Sequence, residues 1–97
     1  MEVTFKDPSL DQLETDANYS AGFEGAIVKA YRKTMQHIRA ATDERTFWTR
    51  NSFRFEKLED DRKGQYAMRL NKQWRLIIEL RGKAPKTVHV IEITDYH

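Results

Sequence analysis

Apolar residues recur every three or four positions up to about residue 41 and every second position from Phe53 onward. The first half therefore reads as mainly helical and the second as strands. Val3-Thr4-Phe5 alternates and predicts a short opening strand. Asp7-Pro8 predicts a helix start, with proline in the first turn, acids following at Asp11 and Glu14, and Leu10 and Leu13 as the buried pair. A longer helix is expected from about Ala21 to Ala41. Its apolar face is Phe23, Ile27, Val28, Tyr31, Met35 and Ile38, with Lys29, Arg32, Lys33 and Gln36 mainly opposite. Phe47 and Trp48 are expected as packing anchors in the segment that follows.

The period-two region divides at its turn residues. Phe53 and Phe55, with Lys57 in phase, alternate with Arg54 and Glu56. Asp60 to Gly64 is a polar turn. Tyr66, Met68 and Leu70 alternate with Ala67 and Arg69, and Asn71-Lys72 predicts a tight hairpin in which Asn accepts positive φ. Trp74, Leu76, Ile78 and Leu80 form a core face opposite Arg75, Ile77 and Glu79. Residues 82–86 turn the chain again, and the strand Thr87 to Thr94 is apolar enough to be central. The expected architecture is α+β: two N-terminal helices on one face of a small, mostly antiparallel sheet, in the order β-α-α-β-β-β-β. Residues 1–97 are expected to form one domain.

Composition narrows the class. Hydrophobic residues make up 39% and charged residues 33% of the chain. No apolar run nears the roughly 20 residues of a membrane span, and the start does not read as a signal peptide, so a cytoplasmic location and no membrane partner are expected. There is no cysteine, and His37, His89 and His97 lie far apart, so the sequence supports no disulfide, metal site or cofactor. Net charge is only +2, but residues 1–27 hold six acids against one Lys. The remainder is basic, which points to an anionic partner, most plausibly nucleic acid. An ordinary solvated surface is the competing reading.

The candidate chemistry lies on the sheet face away from the helices. Alternation puts Arg69 and Arg75 together there, and an anion between two guanidiniums relieves their repulsion and matches their geometry. The alternative is two solvated arginines, one paired with Glu79. Arg62 and Lys63 in the preceding turn extend the positive path, unless Asp60 and Asp61 neutralise them. Asp95-Tyr96-His97 then supplies an acid, a phenol and an imidazole at a strand end. RNA cleavage without metal needs a base for the 2′-hydroxyl, an acid for the leaving oxygen and positive charge for the transition state. These residues provide a candidate for each role, and Tyr96 could instead stack on a base. Regular alternation places Asp95 and His97 with His89, Ile91 and Ile93, and Tyr96 with Val88 and Val90. His97 as a simple terminus and Tyr96 as a core aromatic are the plain alternatives.

Three segments together resemble the HigB branch of the RelE/ParE toxin superfamily, the toxins of type II toxin–antitoxin pairs, also called plasmid-maintenance killer proteins. They are Phe55 to Leu70 with its Asp61-Arg62-Lys63-Gly64 turn, Gln73-Trp74-Arg75-Leu76, and Asp95-Tyr96-His97. The resemblance implies a ribosome-dependent endoribonuclease that cuts messenger RNA in the decoding site, without a cofactor. It also implies a HigA-like helix-turn-helix antitoxin, through which the pair represses its own operator DNA. The family's terminal acid, tyrosine and histidine match Asp95, Tyr96 and His97, its strand arginine matches Arg75 and its turn arginine Arg62. Glu56 and Glu59 stand where many members carry a histidine in the strand before the turn and a lysine shortly after that histidine. This makes Glu56 a candidate general base and Lys57 a candidate replacement cation if its strand turns it inward. The remaining alternatives are a ParE-like toxin that poisons DNA gyrase by binding, and a basic RNA-binding module without toxicity.

Overall fold

Asp7 and Pro8 open the first helix as the sequence predicts. In the computed structural model, which describes residues 1–95, α1 spans Pro8–Thr15, and the Asp7 carboxylate accepts from the Ser9 N–H at 2.9 Å. This satisfies one of the donors that a helix start leaves without a partner. Leu10 and Leu13 are both buried. At the other end of α1, Arg32 donates to the carbonyls of Leu13, Asp16 and Tyr19 at 2.7–3.0 Å. One guanidinium thus occupies acceptors at a helix terminus and in the loop after it. Arg32, expected on the solvated face, is instead a half-buried clamp.

The second helix, α2, spans Gly25–Ala40 and buries Ile27, Val28, Tyr31, Thr34, Met35 and Ile38. It begins four residues later than the hydrophobic pattern predicts. Ala21 (φ 52°) and Gly22 (φ 82°) take left-handed conformations that break a helix, which leaves Phe23 in the connection. Phe23 still packs inward, edge-on to Trp74 at 5.7 Å between ring centroids. The buried Tyr31 hydroxyl donates to the Leu10 carbonyl at 2.7 Å and locks α2 onto α1.

A third, short helix, α3 (Arg45–Thr49), was not expected. It buries Phe47, while Trp48 remains 52% exposed and packs from the surface, edge-on to Phe55 at 4.7 Å between ring centroids. Phe53, expected in a strand, lies in a 3₁₀ turn, Asn51–Phe53, after which Arg54 takes φ 43°. The strand that follows, β2, is only Glu56–Lys57.

The sheet is completed by β1 (Val3–Phe5), β3 (Gln65–Arg69), β4 (Trp74–Arg81) and β5 (Thr87–Asp95). Its order is β1-β5-β4-β3-β2, with β1 parallel to β5 and every other pair antiparallel. The apolar β5 therefore lies between two neighbours, as its composition predicts. The main core fills the space between helices and sheet, where Leu13, Tyr31, Met35, Ile38, Met68, Leu76, Ile78, Val88 and Val90 are fully buried. A smaller cluster of Ala67, Ile77 and Ile91 occupies the opposite face, with Leu58 packed over it.

One irregularity changes the faces of β5. Ile78 pairs with Val90 while Ile77 pairs with Glu92, so Ile91 is an extra residue in the ladder. Such a bulge reverses the phase of alternation beyond it. Ile91 stays on the outer face, but Ile93 joins Val88 and Val90 in the main core. The expected grouping of Asp95 with His89, Ile91 and Ile93 is thereby corrected: Asp95 follows Ile93 toward the helix side and Thr94 faces outward.

Candidate functional site

The outer face of the sheet carries three rows set by strand register. The first crosses Gln65, Glu79, His89 and Thr4. The second crosses Glu56, Ala67, Ile77 and Glu92, and the third Arg69, Arg75 and Thr94. Arg69 and Arg75 are direct cross-strand partners, as the alternation predicts. Like charges in this relation are unfavourable unless their field is used.

The turn beyond them supplies part of the compensation. Arg69 Nε and an Arg75 terminal nitrogen both donate to the Asn71 carbonyl, at 3.1 and 2.9 Å, and Arg75 also donates to the Trp74 carbonyl at 3.3 Å. Asn71 itself does not take positive φ. Its side-chain oxygen accepts from the Gln73 and Trp74 N–H groups, both at 2.8 Å, and so builds the connection over residues 70–73. Glu79 is not the arginines' counter-ion, because it bonds Arg81 at 2.7 Å. Arg81, through that bond, holds the Glu79 carboxyl below its usual range. The result is two half-buried guanidiniums gathered at one end of the outer face.

Arg62 comes from the 3₁₀ turn Asp60–Arg62, where the positive φ of Gly64 (90°) helps reverse the chain. It folds back across the second row to donate to Gln65 at 3.0 Å and Glu92 at 3.1 Å. Its carboxylate partner is thus Glu92, thirty residues away in sequence, rather than Asp60 or Asp61. The pair is well exposed, so its value is positional more than energetic. Lys63 is exposed in the same turn.

Glu56 shares the outer face with the arginines. It stands two strands and one row from Arg75, roughly 12 Å between backbones at usual strand spacings. Long side chains on both sides can converge on a group lying between them. Lys57 pairs with Tyr66 and faces the helix side, so it does not join Glu56 on that face. Asp95 lies opposite Trp74, and Gln73 donates to its carboxylate at 2.8 Å. Tyr96 and His97 lie outside the described residues.

The structure therefore brings Arg69, Arg75, Arg62 and Glu56 onto one face, leaves Lys57 off it, and holds Asp95 at the strand end beside the turn. Glu92 was not singled out from sequence, and Asn71 and Gln73 were read there only as turn and motif residues. Asn71 acts through its carbonyl and its turn, and Glu92 through a bond across thirty residues.

In the first row, Thr4 Oγ1 and His89 Nδ1 are 2.7 Å apart. Burial, then Arg81, lower the His89 pKa against the opposing pull of Glu79. Burial, then Arg50 and Lys33, likewise lower that of His37. Unfolded imidazoles take up protons from about pH 6.5 downward, whereas these two resist protonation until lower pH. Their contribution to stability is therefore complete above about pH 6.5 and is lost as the pH falls through the depressed folded values. Melting curves from pH 8 to 5 should show a level melting temperature that declines below about pH 6.5. A rise across that interval would contradict the assignment.

Among the described residues, no helix is long and apolar enough to cross a membrane. The model of a family described as "RelE-like toxin of type II toxin-antitoxin system HigB" matches residues 3–97. No curated protein matches the sequence significantly. Among solved structures, the chain is similar to the YoeB/ParE toxin from Agrobacterium tumefaciens (15% identity, TM-score 0.62, all of both chains covered). It also resembles the toxin fold in the YoeB-YefM complex from Staphylococcus aureus (18% identity, TM-score 0.62, 100% of this chain and 97% of that one). A third similar structure is YafQ from E. coli strain BL21(DE3) (11% identity, TM-score 0.61, 97% and 91% covered). At these identities the structural likeness establishes the fold, while the family match extends over the helices, the sheet and the arginine face alike. The chain belongs to the HigB-like family of RelE-like toxins of type II toxin–antitoxin systems, whose partner is an antitoxin.

Proposed function

We propose that the chain is a ribosome-dependent endoribonuclease that cuts messenger RNA, and that it acts in the cytoplasm. The observation that carries this reading is the convergence of Arg69 and Arg75 on the Asn71 carbonyl, beside the strand that leads into Asp95-Tyr96-His97. A polyanion in tight contact with paired guanidiniums exchanges its counter-ions for fixed donors.

In the proposed reaction the scissile phosphate sits on Arg75 and Arg69. The 2′-hydroxyl attacks that phosphate and its proton passes to Glu56. The bond to the 5′-oxygen of the next nucleotide breaks, and His97 protonates that oxygen. The products are a 2′,3′-cyclic phosphate and a 5′-hydroxyl. Arg75 stabilises the added negative charge on the phosphorane. Tyr96 stacks on or orients a base. Asp95, held by Gln73, positions the residues that follow it. Arg62 and Lys63 continue the cationic path, with Glu92 fixing Arg62. Lys57, on the other side, contributes to the general field rather than to the reacting group. The antitoxin expected for this branch is a HigA-like helix-turn-helix protein.

The test is in vitro translation with added protein, followed by primer extension on the message. Codon-spaced cuts that require ribosomes, with cyclic phosphate ends, are expected. Intact message together with cleaved supercoiled DNA in a gyrase assay would replace this reading with a gyrase poison.

A further inference from the structure

Several surface arginines of this protein sit on carboxylates: Arg39 on Glu14, Arg45 on Asp43, Arg62 on Glu92 and Arg81 on Glu79. Arg50 does not. One of its terminal nitrogens lies 3.1 Å from His37 Nε2, and its guanidinium carbon lies 5.5 Å over the Phe53 ring. His37 is itself held edge-on to Phe53, 5.9 Å between centroids. An imidazole nitrogen that receives a bond from arginine is unprotonated, so Arg50 is oriented by two neutral groups and keeps its full charge.

These residues line a cleft of about 190 Å³ between α2 and the 3₁₀ turn. Lys33, Thr34, Ser52 and Arg69 contribute to its wall, and no acidic residue among the described residues does. Lys33 lies one helical turn before His37 and is exposed. The guanidinium has five N–H donors, of which the imidazole takes one. The arrangement is a cation fixed in place with open donors, beside a second cation and a hydroxyl. The cleft also borders Arg69, which pairs with Arg75 on the reacting face.

We propose that Lys33, Arg50 and the His37 side chain that orients Arg50 form a phosphate-binding subsite. It would hold the backbone of the RNA strand next to the phosphate cut at Arg75. The subsite rests on the endoribonuclease reading for its ligand. His37 is a positioning residue here: it fixes Arg50 and is not a proton carrier in the reaction. RNA following this path leaves the outer face past Arg69 and passes onto the helix side.

The test uses the full chain and a single-stranded RNA oligonucleotide with 2′-O-methyl groups, which lacks the attacking hydroxyl. During its titration the His37 ring resonances should shift. The Lys33→Ala, Arg50→Ala double variant should bind on the order of tenfold more weakly. The slope of log affinity against log salt should fall by about 1.4, from two lost single-strand phosphate contacts. His37→Phe should weaken binding less and leave the salt slope nearly unchanged, because it loosens Arg50 without removing a cation. Thermal melting checks that each variant is folded. Unmoved His37 resonances with an unchanged salt slope would overturn the subsite, even if the protein cleaves message. Binding through His37 and Arg50 by a protein that never cleaves would keep the subsite and remove the nuclease assignment.

Discussion

Replacing Arg75 by alanine is expected to end growth arrest and slow cleavage of ribosome-bound message by about two to three orders of magnitude. That is the usual effect of removing one preorganised donor from a developing negative charge. Arg75 sits half-buried on the outer face with a turn carbonyl as acceptor, away from the core between helices and sheet. The variant should therefore melt close to the parent. Lysine at the same position should restore little, because an ammonium cannot present the paired donors of a guanidinium. Arg69→Ala should act in the same direction but more weakly, since Arg75 stays next to the strand that carries Asp95. Growth arrest on induction and single-turnover cleavage by primer extension report the two quantities. A folded Arg75→Ala protein with full toxicity would remove Arg75 from the reaction.

The second large effect concerns stability. Phe47→Ala should cost roughly 3–5 kcal/mol in urea unfolding, the range for deleting a buried aromatic ring. Phe47 is fully buried and meets Phe53 and Phe55 edge-on, at 6.1 and 5.5 Å. Phe55 in turn stacks on Tyr66 at 5.1 Å, next to the two-residue β2 that carries Glu56. A cavity at Phe47 therefore undercuts both α3 and the support of Glu56. Amide exchange at Glu56 and Lys57 should accelerate ahead of exchange in β4 and β5. A loss under about 1 kcal/mol would mean that the aromatic cluster relaxes into the space.

Much of this fold was legible in the hydrophobic pattern because burial imposes periodicity. Ile27, Val28, Tyr31, Met35 and Ile38 were expected on one helical face and are buried there. Arg69 and Arg75 were expected side by side and are register partners. The errors fall where periodicity carries no information. The start of α2 depends on left-handed backbone at Ala21 and Gly22, and Ala21 has no composition that announces it. The segment around Phe53 keeps an alternating pattern, yet its rings meet as a compact cluster above a 3₁₀ turn rather than along a strand. Asn71 was expected to relieve the hairpin by positive φ, but its side chain caps two N–H groups instead. Both uses of asparagine are compatible with the same letter.

The sequence by itself determined the α+β class, the helical face that meets the sheet, the outward arginine pair and the family. Each follows from residue spacing within one element, or from motifs that keep their order along the chain. Tertiary structure alone decided which partners those residues find. Arg62 is committed to Glu92 across thirty residues, Arg32 to the end of α1, and Arg50 to a neutral histidine and a ring. The single extra residue at Ile91 turns Asp95 away from the face it was expected to share with His89. A bulge is specified by how two strands pair, so the physical cause lies in the neighbouring strand and not in the alternation of β5 itself.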